Sequence, residues 1–169
     1  SALGENFFKD TIRAVIIAFL CMSVVVYITF RVPVPSLFVI LCALSDIVST
    51  LAVVSISGTK LSTAGIAAFL MLIGYSVDTD ILLTTKVYKR RDGGNYLERT
   101  WSAMRTGLTM TATSFAAVLT AYFVTDSDVI KQIMFILIVG LIFDVIYTWI
   151  QNAGILRWYM EWKDSKGVN

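Results

Sequence analysis

The chain has 169 residues, 57% of them hydrophobic and 15% charged, and a mean hydropathy of +0.75. A soluble domain carries about 45–50% apolar residues, so the composition excludes an ordinary soluble domain and indicates a membrane protein. The net charge of +2 is small and the basic residues sit at the ends of apolar runs, which marks them as topology signals and excludes a nucleic-acid partner.

The two cysteines, Cys21 and Cys42, lie in different apolar runs without CxxC spacing, and there is no His. Neither a metal site nor a cofactor is expected, and the cysteines read as small packing residues. The chain opens at Ser1 with neither Met nor a signal-peptide head, so a longer parent protein is expected.

A bilayer core of about 30 Å takes about 20 apolar residues as a helix. Five such runs predict an all-α, polytopic transmembrane bundle of five helices in a single domain, with helices at 8–30, 34–56, 63–87, 106–124 and 129–150. Between and after them lie a predicted cytoplasmic loop, 88–105, and a cytoplasmic tail, 151–169. Lys9, Arg13, Lys60 and Lys131 fall on one side of this layout, and the other ten of the 14 basic residues on the opposite side. Positive flanks stay in the cytoplasm, so the N-terminus is expected outside and the C-terminus inside. Trp101, Trp149, Trp158 and Trp162 fall at the same inner boundary, where an indole belongs.

The acids come next in order. In the second run Cys42, Asp46, Ser49, Thr50 and Ser57 share one helical face, with Asp46 near the middle. In the third, Ala64, Ala67, Ala68 and Gly74 form a small-residue face that continues to Asp78. Small residues let helix backbones approach closely, so this face, Asp78 included, is expected inside the bundle.

Asp80 stands about 200° further round, beside Thr84 and toward Lys86, in a structural or access role. The loop from Asn95 onward reads as an amphipathic interfacial helix. Arg105 opens a fourth run in which Thr106, Thr113 and Thr120 repeat every seven residues, a face suited to helix packing or to a wet path. The fifth run puts Gly140, Asp144, Thr148 and Gln151 on one side. An intramembrane carboxylate costs roughly 2.5–3.5 kcal/mol on insertion scales and is a functional candidate by default. The relay candidates are therefore Asp78, Asp80, Asp46, Asp144 and Arg105, with Asp78 as principal proton carrier; the packing candidates are Gly74, Ala67, Ala68, Thr106 and Thr113.

Several of these segments resemble the SecF family, the smaller membrane subunits of the SecDF protein-export auxiliary in the resistance-nodulation-division superfamily. The resemblance is carried by Ser1-Ala2-Leu3-Gly4, by YITFR at Tyr27 to Arg31, by AAFLMLIGYSV at Ala67 to Val77, and by Arg105-Thr106 with Thr113-Ser114. It covers nearly the whole chain as spans two to six of six. It implies that a first span and an extracytoplasmic domain precede this stretch.

Where the bacterial pattern has Asn-Asp-Thr after GYSV, this chain has Asp78-Thr79-Asp80, so Thr79 stands at the position of the bacterial acid. Ser45-Asp46 replaces the His-Asp of many bacterial members. Both departures look archaeal. The resemblance implies a non-enzymatic, proton-motive-force-coupled auxiliary of the Sec translocase in the cytoplasmic membrane. Its partners would be SecD, a SecYE-type channel, unfolded protein substrate and membrane lipid. Two alternatives compete: an intramembrane aspartyl protease, weakened by the absence of a GxGD motif, and a passive translocon scaffold whose acids only hold helices together.

Overall fold

The computed structural model describes residues 2–59, 61–89 and 94–167, with side chains in the first helix from Lys9 onward. Among these residues all regular structure is helical. Helix α1 (Ala2–Phe30) ends at Arg31, which adopts a left-handed φ of 55° while its N–H donates to Tyr27 O at 2.8 Å. Pro33 then opens α2 (Pro33–Ile56), at a position where its missing N–H costs nothing. Ser62 caps α3 (Thr63–Thr84) by accepting from the Gly65 N–H at 3.3 Å. The chain continues with α4 (Tyr96–Val124), α5 (Asp128–Ile146) and α6 (Ala153–Ser165). Five stretches of the described residues are long and apolar enough to cross a membrane.

The helices outrun the boundaries expected from hydropathy. Most of the segment 88–105 expected to be a loop is helical: α3 passes into a π turn at Thr85–Lys89, and α4 begins at Tyr96, not at residue 106. The interfacial helix expected after Asn95 is the first part of α4 itself. Residues 90–93 of the expected loop lie outside the described residues. The expected tail 151–169 is helical as far as Ser165, because a second π turn, Tyr147–Asn152, joins α5 to α6 without a break.

At 1.5 Å per residue α4 is about 44 Å long and α5 with α6 about 57 Å, against a hydrocarbon core of about 30 Å. Both therefore project beyond the apolar layer at the same end. There the Tyr96 hydroxyl donates to Ala153 O at 2.5 Å, and Trp101 and Trp158 are exposed.

Central helix α5 packs against α2, α3 and α4, while α1 lies outside, on α2 and α3. Water is not expelled when helices meet in lipid, so close backbone approach has to supply the cohesion. Two glycines make it possible. A Cβ on Gly140 would collide with Leu72 of α3, and one on Gly107 of α4 would collide with Trp149.

Apolar clusters then form layers. Val54, Ala68, Phe69, Leu72, Val118, Ile136, Leu137 and Leu141 fill one half of the bundle. Leu83, Val87, Ala103, Ala153, Leu156 and Met160 fill the other. Between these two clusters the buried residues of the continuous α5–α6 rod are all polar, while α3 turns Ser76, Thr79 and Asp80 toward them and packs Ile73 and Val77 against α1 and α2 in a third apolar cluster.

Candidate functional site

The polar layer is built from three helices. From α2 come Cys42, Asp46 and Thr50, from α3 Ser76, Thr79, Asp80 and Thr84, and from the α5 rod Asp144, Thr148 and Asn152; all are buried. Asp46 and Asp80 are each 0% exposed and Asp144 1%. Each helix contributes residues three or four apart, so one face of each supplies the layer.

Hydrogen bonds knit the Asp144 corner. Thr79 Oγ1 donates toward both carboxylate oxygens of Asp144, at 2.9 and 3.1 Å, and lies 2.9 Å from Ser76 O. Thr148 Oγ1 reaches Asp144 Oδ1 at 3.3 Å. On α2, Thr50 Oγ1 approaches Asp46 Oδ1 at 3.4 Å, and the Ser76 hydroxyl of α3 faces both Asp46 and Asp144 without a hydrogen bond of ordinary geometry. On the other side Asn152 Nδ2 donates to Asp80 Oδ1 at 2.8 Å.

The ionisable groups that act on Asp46 are Asp144 and Asp80, and Asp80 is within reach of Asp144 as well. Nothing basic is among them. Removing an unmatched charge from water costs several kcal/mol even after relaxation, so fixed charge in a layer of this kind is expensive.

A route leads into the layer. A cavity of about 90 Å³ is lined by Asp78 and Thr79 of α3, by Met110, Thr111 and Ser114 of α4, and by Asp144, among others. That is room for several water molecules. Asp78 and Met110 also border a wider groove of about 420 Å³ that runs past Ile81 and Thr85 to Lys86. The Lys86 ammonium is itself tied to α4, donating to Thr106 Oγ1 at 2.9 Å and to Ser102 O at 3.3 Å.

Several sequence expectations are corrected by this arrangement. Asp78, Ala67 and Gly74 are exposed, and of that small-residue face only Ala68 is buried, because α3 turns the opposite face toward α5. Asp78 thus borders the entrance to the layer, and Asp80, expected near Lys86, lies inside it.

Thr106 and Thr113 are also exposed, with hydroxyls returned to the carbonyls of Ser102 and Met110. The buried face of α4 is Ala103, Gly107, Thr111 and Val118. Arg105 is exposed and joins no acid of the layer. Asp46 and Asp144 lie between helices, where their polar stripes put them.

Asn152 and Ser76 are not among the candidates read from sequence, where Thr79 enters only as the residue at the position of the bacterial acid. Asn152 continues the Gly140, Asp144, Thr148 series by one further step of four, a signal hidden by ending the fifth helix at Ile150. The π turn, with i→i+5 bonding, widens the turn and carries the face to Asn152; Gln151 is left half-buried, toward Ser45.

Fold and site define a class: a polytopic α-helical membrane protein with a layer of carboxyl groups buried between apolar clusters. The profile of the C-terminal region of the protein-export membrane proteins SecD/SecF matches residues 1–162. A protein-export membrane protein SecF of Methanothermobacter thermautotrophicus is 52% identical over 94% of this chain and 57% of its own length. Those of Methanocaldococcus jannaschii and Pyrococcus furiosus are 48% and 43% identical, over 98% and 96% of this chain and 61% and 55% of their own lengths. The chain belongs to the SecD/SecF family, on its SecF side among archaeal members, and spans a little over half the length of these relatives.

Proposed function

We propose that this chain forms the membrane-embedded part of a protein-export auxiliary driven by the proton-motive force. The observation that carries the reading is the buried layer of Asp46, Asp80 and Asp144, without a basic partner and approached through a cavity that Asp78 borders. Moving one charge through 100 mV supplies about 2.3 kcal/mol, roughly fortyfold in a conformational equilibrium. Protons loaded from one side and released to the other would shift α2, α3 and the α5 rod against one another. The printed name of the relatives, protein-export membrane protein SecF, supports the process served.

In this reading Asp78 is the entrance and the three buried acids are the relay, while Arg105 stays outside it. The partners are a SecD subunit, a SecYE-type channel, an unfolded polypeptide and the surrounding lipid. The chain carries out no catalysis of its own. It sits in the cytoplasmic membrane with its first residue outside and its last inside. A cysteine placed at Asn95 tests the sidedness: it is expected to react only with reagents that reach the cytoplasm, and labelling from outside would invert the scheme.

The function is tested by Asp144→Asn in the whole protein. Gradient-dependent export is expected to be lost while the protein still assembles in the membrane. Export that keeps its gradient dependence after Asp46→Asn, Asp80→Asn and Asp144→Asn alike would leave the acids as helix glue and the protein as a scaffold.

A further inference from the structure

Asp80 and Asn152 are both 0% exposed and are joined by one hydrogen bond, Asn152 Nδ2 to Asp80 Oδ1 at 2.8 Å. The other two oxygens of the same two side chains, Asp80 Oδ2 and Asn152 Oδ1, are buried without a hydrogen bond of ordinary geometry, the Cys42 thiol and the Thr148 hydroxyl being the other donors beside Asp80. If Asp80 is ionised both are acceptors, and a buried acceptor left without a donor is destabilising. A proton on Asp80 Oδ2 changes the accounting. A carboxylic acid and a primary amide are complementary, with N–H to C=O in one direction and O–H to C=O in the other.

We propose that Asp80 and Asn152 form a proton-binding acid–amide pair, in which Asn152 Oδ1 accepts from the protonated Asp80 and so ties α3 to the π turn. The proposal rests on the proton-coupled reading above and gives it a specific element.

The groups facing Asp80 are Cys42 and Asp46 from α2 and Asp144 with Thr148 from the α5 rod. None is basic, so no fixed cation competes with the proton for this site. When the proton leaves, the pair keeps one hydrogen bond and loses the other. The contact between α3 and Tyr147–Asn152 is then weakened, and the i→i+5 bonding of that segment makes it the place where the α5–α6 rod can bend.

Infrared spectroscopy of the whole protein in liposomes at neutral pH reads the protonated carboxyl stretch directly. Asp80→Asn is expected to remove one component of that band. Asn152→Leu is expected to shift the same component to higher frequency and to lower gradient-dependent export about tenfold, the effect of one buried hydrogen bond. Asn152→Val, which also lacks the acceptor, takes its place if the Leu variant does not fold. Exchange of the two residues, Asp80→Asn with Asn152→Asp, restores an acid–amide pair and is expected to restore both the component and most of the export, which lost packing alone would not do.

A carboxyl band that survives Asp80→Asn unchanged, or one that Asn152→Leu does not move, overturns the pair. If the band behaves as expected while export keeps its gradient dependence in every variant, the pair stands and the proton-coupled function falls.

Discussion

The two faces of α3 each carry an Asp and have opposite fates. On one, Ser76, Thr79, Asp80 and Thr84 are buried against α2 and the α5 rod; on the other, Ala67, Gly74 and Asp78 are exposed. Asp78 and Asp80 are two residues apart at nearly the same depth, yet one borders an open groove and the other is sealed against Asn152. Helical phase, more than depth, sets the environment of an intramembrane acid. A step of two residues turns the side chain by about 200°.

The sharpest way to break this comparison is a pair of glycine substitutions. Gly140→Leu drives a side chain into Leu72 where α3 meets α5, and is expected to cost about 3 kcal/mol, the upper end of overpacking. Gly74→Leu, where an added Cβ meets nothing, is expected to stay within about 0.5 kcal/mol. Unfolding of both variants in detergent measures the difference, and equal losses would mean that α3 buries the other face.

Next in size is Thr79→Val, which removes the donor to both Asp144 oxygens and is expected to cost about 1–3 kcal/mol. Thr113→Val on the exposed side of α4 serves as its control, with a change within about 0.5 kcal/mol.

Gly107→Ala is expected to cost about 1 kcal/mol, since its methyl collides with Trp149. A changed tryptophan emission would report the displaced ring, and an unchanged spectrum would separate α4 from that contact. The smallest effect on stability is expected from Asp78→Asn, within about 0.5 kcal/mol because the side chain is exposed. Its effect should appear in function, as slower gradient-driven export against the loss expected for Asp80→Asn. Loss of equal depth in both would make Asp78 a member of the relay and not only its entrance.

Asp46 and Asp144 show what could be read in advance. Each lies in a polar stripe of a helix that is apolar elsewhere, so only one face can avoid lipid. On α3 two different faces each carry an acid. The small-residue stripe of Ala67, Ala68 and Gly74 reads as a packing surface that continues to Asp78, while Asp80 falls on another side, beside Thr84. The choice went to the wrong side because close approach at this contact is supplied from the partner helix, by Gly140 beneath Leu72. Thr106 and Thr113 misled in a similar way, since a threonine that bonds its own preceding turn needs no neighbour.

The sequence alone determined the class, the number of spans and their rough limits. Those follow from apolar length and from the period of a single helix, which are local properties. The tertiary structure decided which faces meet, how far α4 and the α5 rod extend beyond the apolar layer, and that Asn152 stands beside Asp80. A helix carries its spacing within itself but not its rotation about its own axis. That rotation is set by the shapes of its neighbours, here by two glycines and a π turn.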